Sequence, residues 1–292
     1  VSHADGFEAR LARLGPELGP AGRRVAHCIA QNPAAALASS ATALAARAKT
    51  SDATVIRTVQ TLGYAGFAEL KQALAASIGR SDGAATPADN MRLTLAELHG
   101  ASLHAIDTVL DAHDPALATL RSASFRDQLG RALPILHDAA RIAVFGIGPS
   151  AALARYVTLL LGRSGRSALC LDTSGIMLAD QMLDLQRGDA VLAMAYGRPY
   201  REALGLLAHA RELGSPFVLI TDKAGGPLAT VADAVLVVPR GRTGHVALHA
   251  ATMLALEMIV LSLAASDQTR ALERLDRLNM LRAAVLGQAR DV

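Results

Sequence analysis

Between residues 141 and 239 the sequence alternates short apolar runs with longer segments of helical periodicity. The runs fall at 141–147, 168–172, 190–196, 216–221 and 234–239, each of strand rather than helix length. Continuously apolar strands separated by helices are what a parallel sheet requires, because crossover helices cover both of its faces. The pattern predicts a doubly wound α/β domain with a five-stranded parallel sheet. Ligands of such sheets bind at the carboxyl ends of the strands, where loops open into helices. Two loops stand out there: Gly146-Ile147-Gly148-Pro149-Ser150 after the first run, and Tyr196-Gly197-Arg198-Pro199-Tyr200 after the third.

The beginning of the chain is patterned differently. Residues 39–63 carry two short helical patterns, with Ala43, Leu44 and Ala48 spaced for one apolar stripe and Val55, Ile56, Val59 and Leu62 for another. Between them Lys49-Thr50-Ser51-Asp52 forms a polar break. Ser51 is placed to accept a backbone N–H in the first turn of the second helix, and Asp52 complements the positive end of its dipole. Two short helices joined in this way predict an all-α helix-turn-helix DNA reader, the second helix starting near Asp52. Its other face offers Ala53, Thr54, Arg57, Thr58 and Gln60, side chains of the kinds that reach base edges and phosphates. Through Arg80 the chain has nine Lys and Arg against five Asp and Glu, while the net charge of all 292 residues is +3, so the basic excess lies in this region. Such a module favours the phosphate backbone. The predicted DNA contacts are Lys49, Thr50, Ser51, Ala53, Thr54, Arg57, Thr58 and Lys71, with Gly63 and Gly66 as turn residues after the recognition helix.

A linker is expected at 80–90, where apolar periodicity gives way to small polar residues, dividing the chain into domains 1–79 and 91–292. Helical patterns resume over 91–110 and 125–137.

Gly146, Gly148 and Ala151 spell the G-x-G-x-x-A of a dinucleotide site, and Asp172 ends the second run where a ribose-binding carboxylate would stand. A nicotinamide-nucleotide sensor is therefore one alternative. Aldose-ketose isomerisation is another, needing a base such as Glu202, His245, His249 or Glu257. His245 and His249, four apart, would share one helical face and could present two imidazoles to a metal, although no third ligand is near in sequence.

Longer motifs decide between these readings. Arg23-Arg24-Val25-Ala26, Asn32-Pro33, Ser51, Ala53-Thr54-Val55, Arg57, Leu62-Gly63-Tyr64, Gly66-Phe67 and Glu69-Leu70-Lys71 together resemble the N-terminal domain of RpiR-type bacterial transcriptional regulators. The region from 141 to 239, with G-x-G-x-S after strand one, a glycine loop before an R-E-A helix and T-D ending strand four, resembles the sugar isomerase (SIS) domain that follows in that family. The resemblance implies a regulator rather than an enzyme. Its partners would be double-stranded operator DNA and a small anionic metabolite such as a phosphosugar, and it would act as a homo-dimer or tetramer without cofactor or metal. The implied effector residues are Gly146, Gly148, Ser150, Ser174, Tyr196, Gly197, Arg198 and Arg201. The second loop departs from the family's S-x-S-G-x-T, keeping the glycine and losing all three hydroxyls. Arg198 and Arg201 would then supply charge in their place.

Composition fits both domains. Hydrophobic residues are 51% but aromatics only 3%, without Trp, so Ala, Leu and Val must fill the cores. Cys28 and Cys170 stand alone, without metal-ligand spacing, as reduced thiols of a cytoplasmic protein would. The longest apolar run, 250–265, is interrupted by Glu257 and is too short to span a bilayer, so a buried helix rather than a membrane segment is expected. No leader pattern is apparent.

Overall fold

The computed structural model describes residues 7–31, 33–79, 87–98, 102–197 and 199–286. These form two compact units: one gathers the N-terminal helices with Gly197–Glu212 and Gly225–Val231, and the remainder forms the other.

In the first unit the N-terminal helices are α1 (Phe7–Leu14), α2 (Pro20–Gln31), α3 (Pro33–Ala38), α4 (Ala41–Arg47), α5 (Asp52–Thr61) and α6 (Phe67–Gly79). Val25, Ile29, Leu44, Val55, Val59, Leu62 and Leu70 are fully buried at its centre. With no Trp to fill space, small residues bring the helices close. A Cβ on Gly22 of α2 would stand 3.1 Å from the Thr58 hydroxyl of α5. Two positions differ from the expected stripes: Ala43 is exposed, its place taken by buried Ala45, and Ile56 is only half-buried.

In the second unit α7 (Pro87–Leu98), α8 (His104–Arg121) and α9 (Ala123–Asp138) precede the sheet. Within the pattern over 91–110 the described residues form two helices, α7 ending at Leu98 and α8 beginning at His104. Then follow in chain order β1 (Arg141–Phe145), α10 (Pro149–Arg163), β2 (Ala168–Leu171), α11 (Ile176–Met182), β3 (Asp189–Met194), α12 (Arg201–Leu213), β4 (Phe217–Thr221), β5 (Ala234–Val237), α13 (Ala250–Ser266) and α14 (Gln268–Leu286), of which α12 belongs to the first unit. All neighbouring strands are parallel, in the order β2-β1-β3-β4-β5. One row of side chains, Ile142, Val144, Leu192, Val218, Ile220 and Leu236, packs with residues of α9, α10 and α13 in a single core. The alternate row, Ala143, Phe145, Val191, Ala193, Phe217 and Leu219, is buried as well, as a sheet covered on both faces demands.

Except for β4, which ends with its run at Thr221, the strands stop one or two residues short of the apolar runs, yet the ladder continues locally. Gly146 donates to Leu171 O at 3.1 Å and Ala195 to Ile220 O at 3.1 Å. The apolar run at 250–265 is α13, with seven buried residues. No single described helix is long and apolar enough to cross a membrane. His245 and His249 are not on one helical face: both lie in the loop before α13, His249 as the residue that precedes its first turn.

Candidate functional site

The α4–α5 pair is built by its caps. Ser40 accepts from the amide of Ala43 at 3.1 Å, and Ser51 from that of Thr54 at 3.3 Å, so each helix begins with a satisfied donor. The Thr42 hydroxyl donates to Asp52 at 2.6 Å and ties the start of α5 to α4. In the turn, Thr50 N–H returns to Ala45 O at 2.9 Å, and Arg24 of α2 donates to the carbonyls of Ala48 and Lys49. This closure places Lys49 at φ 49°, the one described non-glycine residue with positive φ. Lys49 and Ser51 are exposed there, while Thr50 is half-buried.

On α5, Ala53, Arg57 and Gln60 are exposed at positions i, i+4 and i+7 and form one continuous face, with Thr54 at its edge. Thr58 is a correction to the sequence reading. It is only 3% exposed, and its hydroxyl donates to Thr54 O at 2.7 Å, so it belongs to the contact with α2 rather than to the outward face. Lys71 of α6 is half-buried, its Nζ 5.6 Å from the centre of the Phe67 ring. Gly63 follows α5 at φ 80°, whereas Gly66 has negative φ and leads into α6, where Glu69 accepts from Ala65 N at 2.5 Å.

In the second unit the loop after β1 is shaped by two glycines. A Cβ on Gly146 would lie 2.5 Å from the Ser150 carbonyl oxygen, closer than any side chain allows, and Gly148 sits at φ 58°, ψ −132°, a region that other residues avoid. Together they turn the chain straight from β1 into the 15-residue α10. Ser150, in the first turn of α10, is buried. Pro149 has no N–H, and the next two amides are engaged, Ser150 N with Ile147 O at 3.2 Å and Ala151 N with Gly148 O at 3.1 Å, so this helix start offers an anion the positive end of its dipole.

The loop after β2 is held by Gln181. Its carbonyl accepts from Asp172 N, Thr173 N and the Thr173 hydroxyl at 3.0, 3.2 and 2.8 Å, and its amide donates to Asp172 at 2.9 Å. Arg155 donates to the other Asp172 oxygen. Gln181 first and Arg155 second hold this carboxyl below the usual carboxylate range. Asp172 is thus engaged within the protein, which removes the carboxylate that the dinucleotide alternative needed. Ser174 is exposed just beyond it.

After β3, Tyr196 is buried to 9% exposure, its hydroxyl 3.0 Å from that of Thr252 on α13. Burial pushes its phenol up to about 12. The Arg240 guanidinium stacks 3.7 Å from the centre of the Tyr196 ring, and His249 meets the ring edge-on at 6.1 Å. Arg240 also reaches Asp222, beyond β4, at 3.4 Å. The C-terminal ends of β3, β4 and β5 therefore meet in a group of polar side chains. The sequence signalled Tyr196 in this group, but not Arg240, whose Pro-Arg-Gly setting reads as an ordinary turn. Gly197 at φ 59° and exposed Arg201, at the start of α12, fall in the other compact unit. Arg198 lies outside the described residues.

Of the four residues named as possible bases, the three in the second unit each have a different partner. Glu257 accepts from the Tyr156 hydroxyl at 2.7 Å, and His245 lies 3.0 Å from Glu97 on α7, which also receives two bonds from Arg242. His249 packs on Tyr196, and Glu202 is in the first turn of α12. Among the described residues no three His, Cys, Asp or Glu side chains gather as metal ligands. Cys28 and Cys170 are free and half-buried.

Comparison with known proteins places this architecture. Residues 6–81 match the helix-turn-helix domain of the rpiR family, and residues 135–265 match the SIS domain. An uncharacterised HTH-type transcriptional regulator of Caldanaerobacter subterraneus is 25% identical over 229 residues, 77% of each chain. The HTH-type transcriptional regulator HexR of Pseudomonas aeruginosa is 29% identical over 229 residues, 76% of this chain and 75% of that one. Among solved structures, the sugar isomerase domain of an RpiR transcription factor from Sphaerobacter thermophilus aligns with a TM-score of 0.54 and 24% identity, covering 60% of this chain and 97% of that one. The Vibrio vulnificus NanR protein complexed with ManNAc-6P aligns with a TM-score of 0.51 and 21% identity, over 96% and 98%. These structures share the fold. With an rpiR-type helix-turn-helix followed by a SIS domain, the chain belongs to the RpiR family of transcriptional regulators.

Proposed function

We propose that α5 reads operator DNA and that the SIS domain senses a small anionic metabolite, a phosphosugar or a related compound. The observation that carries the first part is the capped α5 with its exposed Ala53, Arg57 and Gln60 face, backed by a buried helical core. Lys49, Thr50, Ser51, Ala53, Thr54, Arg57 and Lys71 are the proposed contacts. Arg57 is the base reader, and Lys49 and Lys71 pair with phosphates. The second part rests on the glycine turn into α10 and on likeness to NanR, whose structure holds ManNAc-6P. Gly146, Gly148, Ser150, Ser174, Tyr196, Gly197, Arg198 and Arg201 are the proposed effector positions.

The protein works as a sensor without turnover, in the cytoplasm, with domains 1–79 and 91–292 joined by a linker at 80–90, of which residues 87–90 are the first turn of α7 and the rest lies outside the described residues. A homo-dimer or tetramer follows from the way such readers engage palindromic sites, with recognition helices about 34 Å apart. Exposed Leu272, Leu275, Met280 and Leu281 on α14 support self-association. The test is binding of the purified chain to DNA from upstream of its own gene against random competitor, repeated with a panel of phosphosugars. Specific binding that a phosphosugar shifts, with no isomerised product, is the expected result. Conversion of an aldose or ketose phosphate without specific DNA binding would overturn it.

A further inference from the structure

The group around Tyr196 is not satisfied as a structural ion pair would be. At the opposite end of the sheet, Arg141 shows what satisfaction looks like. Its Nε and Nη2 bond both Asp189 oxygens at 3.3 and 2.7 Å, Nη2 also donates to Asp184 O, and Asp189 accepts further from Gln186 N at 2.8 Å. Arg240 instead holds Asp222 through Nη2 alone, at 3.4 Å. Its Nε is buried without a hydrogen-bond partner, and so is Nδ1 of His249. Buried polar nitrogens are nearly always bonded, so the Arg240 Nε–H, always a donor, points to a place for an acceptor, and in the tautomer protonated at Nδ1 His249 would donate to the same place.

Three further features suit an anionic acceptor. His249 is the residue before the 17-residue α13 and makes no side-chain cap bond, so the positive end of that helix opens beside it. Stacking on Tyr196 fixes the plane of the guanidinium, and a fixed fork recognises an oxyanion at lower entropic cost than a free one. The loop that carries Arg240 and His249 is itself held in place. Arg242 makes bonds of 2.7 and 3.1 Å to Glu97, Val246 N donates to Thr94 at 3.1 Å, and Leu248 N donates to Arg240 O at 3.0 Å.

We propose that Arg240 and His249, set around Tyr196 at the carboxyl ends of β3, β4 and β5, form the subsite that takes the oxyanion group of the effector, a phosphate monoester or a carboxylate. This rests on the sensor reading above and assigns its anion to residues outside the two glycine loops. Asp222 competes with the ligand for the same guanidinium, so the charge that Arg240 presents to the ligand depends on Asp222. Removing either must shift affinity in opposite directions.

The experiment follows the His249 ring by NMR while inorganic phosphate or acetate is added to the intact protein, with chloride at equal ionic strength as control. The phosphate and acetate arms tell a tetrahedral anion from a carboxylate. One of them moves the His249 resonances in saturable fashion and chloride does not. Arg240→Gln weakens that binding by at least about tenfold, as loss of a charge-assisted pair should. Asp222→Asn, which removes the internal competitor, tightens it, an outcome that misfolding cannot mimic. Binding unchanged by Arg240→Gln but abolished by Ser150→Ala would overturn this subsite and leave the sensor reading standing. Failure of every anion and of the phosphosugar panel to bind the unaltered protein would overturn both.

Discussion

Lys49 sits in the left-handed region, where a Cβ costs about 1–2 kcal/mol, in the turn that leads into α5. Glycine carries no such cost, so Lys49→Gly is expected to raise stability by about 1 kcal/mol in denaturant unfolding while weakening DNA binding through loss of one phosphate contact. Stabilisation with unchanged DNA affinity would remove Lys49 from the interface. Thr58 supplies the complementary case. Its buried hydroxyl is bonded inside α5, so Thr58→Val should alter stability by about 1 kcal/mol and leave DNA affinity unchanged. A drop in affinity with unaltered stability would return Thr58 to the DNA face. The sequence pattern put Thr58 on the outward face because a threonine beside Arg57 reads as polar. What it did not carry was the close crossing of α2 at Gly22, a tertiary contact between residues 36 positions apart.

At the scale of elements, the caps and turns were the legible part. Ser51 as cap and Asp52 as first helical residue stand where the sequence put them, since capping is a local interaction within four residues. Ser51→Ala should cost about 1 kcal/mol of stability, measured by thermal melting; no change would mean that the cap bond is not holding α5 in place. The sheet was legible for the same kind of reason, because doubly buried strands are apolar throughout. The loop from 238 to 249 was not. Helical spacing of His245 and His249 suggested a helix, whereas the segment is fixed by long-range bonds to α7, 145 residues away in the case of Glu97 and Arg242. His245 first and Arg242 second hold the Glu97 carboxyl below its ordinary range. A depressed carboxylate stabilises the fold above its unfolded pKa and loses that contribution as pH falls through the folded value. The clasp should therefore persist at neutral pH and through mild acid, releasing only below the usual glutamate range. An NMR titration of the Glu97 carboxyl at or above that range would contradict the clasp.

For the whole molecule, the two activities meet through linkage. An effector that changes operator affinity must have its own affinity changed by operator DNA to the same factor. The basic N-terminal region makes that affinity sensitive to salt, since each neutralised phosphate releases counterions. Base and phosphate contacts differ in what they leave behind when removed. Loss of a base reader erases discrimination between operator and random DNA, whereas loss of a phosphate contact weakens both alike and lowers the salt slope. The most direct measurement is fluorescence anisotropy of the chain and of Arg57→Ala on operator and random DNA, from about 50 to 200 mM salt. The account predicts that unaltered protein prefers operator at every salt concentration, and that Arg57→Ala, still folded, loses operator binding by about tenfold or more and with it most of the preference. Operator affinity and preference unchanged in Arg57→Ala would contradict the assignment of α5 as the helix that reads DNA.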